Sequence, residues 1–300
     1  MNPIVITGPS GWIGSAFLAM LAAQIGEEWP RHVRLFGTTS RLHSAPDGTC
    51  VPIRPLDEIG AADTEGAVVI HLAYLTKEKA ALLGDRRFLD TNLAIDDALL
   101  AAIRLGRPRG VFVASSGAAS LAADGRDRHP YGMCKLMQED RFLRFGAETD
   151  VPVLAGRIFN LSGPFINKLE SYAISSLLTQ AFESGTIRIT APRPVYRSYL
   201  HVGDLCALIM LMLERRMAPA RPMDFCGTEV VEMMDIASAA ARVAGLRHDA
   251  ILRDAVDYAV PDIYLGDPTA TRGAALACGM KLAGFAAQVE DTARFLRMLR

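Results

Sequence analysis

Short apolar runs alternate with amphipathic stretches through the first half of the chain. The apolar runs fall at 3–7, 32–37, 50–53, 67–72, 110–114 and 152–158, each about the length of a strand buried on both faces. Between them, 11–25, 79–105 and 131–147 carry helical periodicity. In the second of these, Leu82, Phe88, Leu89, Leu93, Leu99, Leu100 and Ile103 form one apolar face, stopped by Gly106 and Pro108. Strand alternating with helix predicts an α/β chain built on a parallel sheet with helices on both faces. After residue 160 the regularity breaks into helices near 170–183, 203–215, 231–244 and 287–299, with short strands at 186–190, 199–202 and 223–226. We therefore divide the chain into 1–160 and a smaller, irregular lobe at 161–300, between which chain segments can cross.

Composition narrows the classes. Of 300 residues half are hydrophobic and 22% charged, which gives a globular chain with a sizeable core. Thirty-two Lys and Arg against 33 Asp and Glu leave a net charge of −1. No broad basic field exists to collect nucleic acid or anionic lipid, although a local cationic pocket is compatible with that average. The apolar stretches at 67–75 and 205–213 are too short for a membrane span. The chain runs from Met1-Asn2 straight into a strand with no basic, signal-like leader, so a cytoplasmic location is expected. Five scattered cysteines show no metal-ligand or redox spacing, so we expect reduced thiols and no metal site.

The first strand-to-helix junction reads Thr7-Gly8-Pro9-Ser10-Gly11-Trp12-Ile13-Gly14. Glycines at its first, fourth and seventh positions suit a tight turn, a close backbone approach to a pyrophosphate, and close helix–strand packing. The second strand ends Gly37-Thr38-Thr39-Ser40-Arg41, with no acid to bind ribose hydroxyls and repel a 2′-phosphate. Hydroxyls followed by Arg41 predict NADP(H) in preference to NAD(H).

Tyr131 and Lys135 stand four apart at the start of a predicted helix and share a face. A cation beside a phenol lowers its pKa, which makes tyrosine a usable general acid or base. The preceding strand delivers Ser115 and Ser116 to the carboxyl edge of the sheet, where open α/β folds bind ligands.

With these motifs the chain resembles an extended short-chain dehydrogenase/reductase of the NAD-dependent epimerase/dehydratase family. The match spans Thr7–Gly14, His71-Leu72-Ala73, Ser115-Ser116, Tyr131-x-x-x-Lys135, Arg157-Ile158-Phe159-Asn160 with Gly163-Pro164, and Arg197 through Leu205. The resemblance implies a Rossmann-type doubly wound sheet with a smaller C-terminal α/β substrate-binding lobe. It implies a catalytic set of Ser116, Tyr131 and Lys135. Cofactor contacts would come from Gly8, Ser10, Gly11, Trp12, Ile13, Gly14, Thr39, Ser40, Arg41, Leu72, Ala73, Tyr131, Lys135 and Phe159. Ser116, Asn160 and Arg197 would bind a nucleotide-sugar substrate, Arg197 through its diphosphate. His71 is expected to be a strand-end structural or cofactor-shell residue rather than a catalyst, and Asp204 a helix N-cap. A homodimer built from the helix at 79–105 and the Tyr131 helix follows from the same resemblance.

Departures within the family refine the reaction. Gly117 and Ala118 stand where dehydratases of this type carry an Asp-Glu pair, so dehydration is disfavoured. Ser120 and Leu121 replace the Tyr-Gly of many epimerases, and only 14 residues, read as a loop, separate Ser116 from Tyr131. The NADP reading tilts the choice toward reduction, and Ser-Ser-Gly-Ala at 115–118, Pro-Tyr-Gly-x-x-Lys at 130–135 and Val-Tyr-Arg-Ser-Tyr at 195–199 resemble reductases of nucleotide-linked 4-keto-6-deoxy sugars, which implies that reaction. The alternatives are a 4-epimerase holding NAD tightly and, from another class, a non-catalytic NADP-sensing protein, against which retention of Tyr131 and Lys135 argues.

Overall fold

In this computed structural model, which describes residues 2–300, the strands follow in chain order as β1 (Ile4–Thr7), β2 (Val33–Gly37), β3 (Arg41–Ser44), β4 (Cys50–Pro55), β5 (Val68–His71), β6 (Gly110–Ser116) and β7 (Val153–Ile158). They continue as β8 (Asn160–Ser162), β9 (Ile187–Ile189), β10 (Val195–His201), β11 (Met223–Phe225), β12 (Val230–Glu232), β13 (Ile251–Arg253) and β14 (Asp262–Tyr264). The helices are α1 (Trp12–Ile25), α2 (Ala61–Thr64), α3 (Lys77–Leu83), α4 (Asp85–Gly106), α5 (Gly117–Ala123) and α6 (Pro130–Thr149). Beyond them lie α7 (Ala173–Glu183), α8 (Val202–Glu214), α9 (Met233–Ala244), α10 (Pro268–Ala277) and α11 (Phe285–Met298).

By its contacts the chain forms two units: Met1–Ile158 with Cys206–Asp224, and Phe159–Leu205 with Phe225–Arg300. Residues 206–224, beyond the division at 160, thus belong to the first unit, and α8 carries the chain from one to the other.

The first unit is built on an eight-stranded sheet in the order β11-β7-β6-β5-β1-β2-β4-β3. The ladders from β4 through β7 are parallel, while β3 runs antiparallel to β4 at the edge. Every residue of β1 and β5 is buried, as expected of central strands covered on both faces. On one face Val69, Val111 and Val113 pack with Leu99, Leu100 and Ile103 of α4 and Phe142 and Phe145 of α6. Strand order reverses between β1 and β5, which makes the carboxyl ends of these strands the place for a ligand.

Two elements differ from the sequence reading. The helix expected at 79–105 is interrupted at Gly84, whose φ of 75° lies in the left-handed region, and separates α3 from α4. The supposed loop between Ser116 and Tyr131 contains α5, which Ser116 caps by accepting a hydrogen bond from the Ala118 N–H.

In the second unit β10 pairs with β8, β12 and β14, while β9 pairs with β13. Ile174, Leu177 and Leu178 of α7, Ile236 and Ala240 of α9, and Val289 and Leu296 of α11 form its buried apolar faces. The buried Gln288 side chain is fully used: it donates to the Tyr199 and Ala283 carbonyls and accepts from Ser162. No helix among the described residues is long and apolar enough to cross a membrane.

Candidate active site

Steric limits within the first unit explain two of the three glycines in the turn after β1. Gly8 has φ 72°, and a Cβ placed on it would stand 2.8 Å from the Ala73 nitrogen. A Cβ on Gly14 would stand 2.4 Å from the Pro9 carbonyl oxygen. Gly11 is different: its φ of −79° suits any residue, and a Cβ there would meet only the Gly8 oxygen, at an ordinary 3.6 Å. The absence of a side chain at Gly11 therefore keeps space clear at the N-terminus of α1, where peptide N–H groups and the helix dipole favour an anion. Ser10 faces Arg41 across the turn, and its Oγ accepts from Arg41 Nη2 at 2.9 Å. Thr39 and Ser40 are exposed beside it. Trp12 and Ile13 open α1, with Trp12 buried.

Thr7, immediately before Gly8, ties this turn to the end of β5. Its Oγ1 accepts from the backbone N–H groups of Leu72 and Ala73 at 3.2 and 3.1 Å and lies 2.7 Å from His71 Nδ1. Leu72 and Ala73 are thereby fixed against the glycine turn, and His71 is fully engaged within the fold.

The two serines at the end of β6 have separate fates. Ser115 is buried and donates its hydroxyl hydrogen to Glu139 of α6. Glu139, itself buried, also receives two bonds of 2.8 Å from the Arg157 guanidinium, which donates further to Ser120 at 3.0 Å. This carboxylate pushes the Arg157 pKa up, and the whole fork of Arg157 is spent inside the first unit. Ser116, half-buried, keeps its hydroxyl hydrogen after accepting from Ala118 at 3.2 Å.

Pro130 at the first position of α6 and His129 at its cap, accepting from the Tyr131 N–H at 3.1 Å, set where that helix begins. Tyr131 and Lys135 then fall on one face. Tyr131 packs edge-on against Tyr74, with ring centroids 6.5 Å apart, and Lys135 Nζ stands 3.5 Å from the centre of the Tyr74 ring. Nζ donates to the Ala114 carbonyl at 2.6 Å and to Gln138 Oε1 at 3.0 Å. Burial lowers the Lys135 pKa to about 7, against the opposing pull of Asp96, Glu139 and Cys134. Burial likewise raises the Tyr74 phenol far above its usual range, so Tyr74 serves as a neutral ring. Tyr74, Asp96, Gln138 and Glu139 were not singled out from the sequence. The available signal was Asn92 and Asp96 on the same helical stripe as Phe88 and Leu99, polar groups at core positions.

Three of the predicted ligand-binding residues, and Asp204, lie in the second unit. Phe159 opens it, and its ring packs 5.0 Å from that of Tyr264. Asn160 Nδ2 donates to the carbonyls of Ser198 and Tyr264 at 3.4 and 3.5 Å. The Arg197 fork meets the Asp262 carboxylate through two bonds of 3.1 Å, so an intramolecular anion stands where a diphosphate was expected. Asp204 is not the cap of α8: the helix starts at Val202, and the carboxylate accepts from the Ala283 N–H at 2.7 Å.

Known proteins share this architecture. MoeE5 in complex with UDP-glucose and NAD matches with a TM-score of 0.73 and 22% identity, covering 99% of each chain. RMD from Pseudomonas aeruginosa complexed with NADPH matches at 0.75 and 21%, covering 100% of each. UDP-N-acetylglucosamine 4-epimerase from Bacillus cereus matches at 0.73 and 17%, covering 100% of this chain and 98% of that one. At these identities the likeness is one of fold. No curated protein matches the sequence significantly. The sequence model of the NAD dependent epimerase/dehydratase family matches residues 4–225, most of the chain and all of the glycine turn, the serine strand and the Tyr131–Lys135 helix. The chain belongs to that family of nicotinamide-dependent enzymes.

Proposed function

We propose that the protein is an NADPH-dependent reductase acting on a nucleotide-activated 4-keto-6-deoxy sugar. The observation that carries this reading is Arg41, whose guanidinium reaches over the glycine turn to Ser10 at 2.9 Å, with exposed Thr39 and Ser40 beside it. The hydroxyls that follow β2 and the cation that opens β3 suit a ribose 2′-phosphate, and no acid stands between these strands to repel it. RMD, which shares the fold, was solved with NADPH.

The clear space at Gly11 and the uncapped start of α1 fit the cofactor's pyrophosphate. Gly8, Ser10, Trp12, Ile13, Gly14, Leu72, Ala73 and Phe159 complete the proposed cofactor set. When bound, NADPH supplies a hydride to a carbonyl carbon. Tyr131 gives its phenolic proton to the oxygen that develops charge, and the Lys135 ammonium stabilises the phenolate left behind. Ser116 donates to the same oxygen. That role falls to Ser116 and not Ser115, because the Ser115 hydroxyl is committed to Glu139. Gly117 and Ala118 begin α5 without ionisable side chains, which leaves elimination of water without a dedicated acid and base. Asn160 and Arg197 hold the nucleotide sugar, and Arg197 must exchange the Asp262 carboxylate for the diphosphate.

The test offers a panel of nucleotide-linked 4-keto-6-deoxy sugars with NADPH and follows cofactor oxidation. Tyr131→Phe is expected to abolish turnover and to retain cofactor binding. Sugar interconversion by protein that purifies with bound NAD, with no net cofactor consumption, would overturn reduction in favour of 4-epimerisation. Near-normal turnover by Tyr131→Phe would overturn the assignment of the acid.

A further inference from the structure

Asp96 is a carboxylate with 1% of its surface exposed, carried on the face of α4 that packs against α6. An ionised group so placed needs strong partners, since desolvation alone costs several kcal/mol. Its Oδ1 lies 2.7 Å from Gln138 Nε2 and 3.3 Å from His71 Nε2, and its Oδ2 is 3.7 Å from Arg141 Nη1.

The hydrogens in this cluster can be assigned one by one. Burial lowers the His71 pKa and makes the ring neutral, so it carries one N–H. Thr7 Oγ1 accepts from Leu72 and Ala73, which leaves the Thr7 hydroxyl hydrogen for His71 Nδ1. The ring proton therefore sits on Nε2 and points to Asp96. On the other side, Gln138 gives its amide hydrogen to Asp96 and turns its carbonyl oxygen to Lys135 Nζ. Donors run from both ends toward Asp96, which is the acceptor at the centre.

We infer that Asp96 is a positioning residue that acts on Lys135 through Gln138, holding the ammonium charged and aimed beside Tyr131 in the proposed reaction. This rests on the reading of Lys135 as the partner of Tyr131. The groups facing Lys135 are Asp96 from α4, Cys134, Gln138 and Glu139 from its own helix, on which Tyr131 stands one turn earlier, His71 from β5, Tyr74 after β5, and the Ala114 carbonyl from β6. Arg141 touches Asp96, and Arg157 of β7 is neutralised by Glu139. Of the anions in this set, Asp96 pulls hardest against the desolvation of Lys135. The same connection reaches back through His71 to Thr7, the residue before the glycine turn.

Asp96→Asn keeps Oδ1, the oxygen to which both His71 and Gln138 donate, and removes the charge together with the ion pair between Oδ2 and Arg141. The readout is the protonation of Lys135, followed by NMR of protein labelled with 13C at the lysine ε carbon. Only five lysines are present, and the Lys135→Met variant assigns the resonance. In Asp96→Asn the Lys135 midpoint is expected to fall at least tenfold in proton affinity, roughly one pH unit. Asp96→Asn combined with Gln138→Glu, which returns a carboxylate beside Nζ, is expected to restore it. Should Asp96→Asn fail to fold, Gln138→Met cuts the connection with Asp96 intact and is expected to lower the midpoint as well. An unmoved Lys135 midpoint in a folded variant overturns the assignment. A lowered midpoint supports the hold of Asp96 on Lys135, and an accompanying fall in the alkaline limb of kcat, with KM unchanged, supports its part in the reaction. A lowered midpoint with an unmoved rate profile overturns instead the pairing of Lys135 with Tyr131.

Discussion

One methyl group added at each glycine of the turn should have one of two consequences, lost stability at Gly8 and Gly14 or lost cofactor binding at Gly11. Gly14→Ala puts carbon 2.4 Å from the Pro9 oxygen and 2.7 Å from the Gly8 oxygen, both backbone atoms that cannot rotate away. Overpacking of that kind costs about 3 kcal/mol. A loss of that size lowers the melting midpoint by about 6 to 12 °C in a unit of this size. Gly8→Ala adds a left-handed residue, about 1 to 2 kcal/mol, to a 2.8 Å approach to the Ala73 nitrogen, and is expected to be destabilised to a similar degree. Gly11→Ala keeps an allowed backbone and meets nothing closer than 3.6 Å, so its stability should stay within about 0.5 kcal/mol of the parent. Its methyl group instead occupies the space assigned to the pyrophosphate. Loss of charge-assisted hydrogen bonds there, about 1.5 to 3 kcal/mol, weakens NADPH binding roughly 10- to 150-fold. Thermal unfolding and fluorescence titration with NADPH measure the two effects separately. Unchanged affinity in Gly11→Ala, or parental stability in Gly14→Ala, would refute the assignment of the three positions.

Two further outcomes are expected. Arg41→Ala should weaken NADPH binding about 10-fold or more while leaving NADH binding within about twofold, read by titration calorimetry; equal losses for both cofactors would remove the 2′-phosphate from the argument. Glu232 is expected to contribute to the stability of the second unit in a pH-dependent way. Burial would raise its carboxyl, but the Arg253 fork at 2.7 Å and the N–H groups of Met234 and Val195 outweigh it and hold the pKa at about 2. A depressed acid stabilises the fold fully above its unfolded pKa, near 4.5, and that contribution is lost as pH falls through 2. Glu232→Gln should therefore lower stability at pH 7, and the difference from the parent should shrink between about pH 4.5 and 2 in acid-unfolding curves. A difference independent of pH would exclude the ion pair as its cause.

The parallel sheet and its glycine turn were legible because both depend on short-range pattern. β1 and β5 are apolar up to their last residues, Thr7 and His71, and Gly14 answers to a steric limit a few residues away, although the limit on Gly8 is set by the distant Ala73. The break at Gly84 was hidden because apolar spacing continues on both sides of it, and only the backbone angle reveals that the helix stops. β3 escaped notice for the opposite reason: with Leu42 exposed and its neighbours polar, an edge strand lacks the alternation that marks a buried face. In the site, Tyr131 and Lys135 could be paired from their spacing, whereas Gln138 and Asp96 are 42 residues apart and meet only through the packing of α4 on α6. The engagement of Arg197 by Asp262, 65 residues further on, was likewise invisible. Sequence offered the cation as an open fork, and folding supplied it with an anion.

The carboxylate of Glu139 has a consequence for how the site tolerates change around it. Tyr131, Lys135 and Glu139 follow at intervals of four, so they wind slowly along one strip of α6. Glu139 is pinned to β7 by both arms of Arg157 and to β6 by Ser115. A one-residue slip of the helix would turn it by about 100° and break all three bonds. The rotational phase of α6, and with it the bearing of the phenol and the ammonium, is thus indexed from a point two turns downstream. The polypeptide between α5 and the capping His129 is relieved of that duty, and its length and composition can drift without turning Tyr131 out of line.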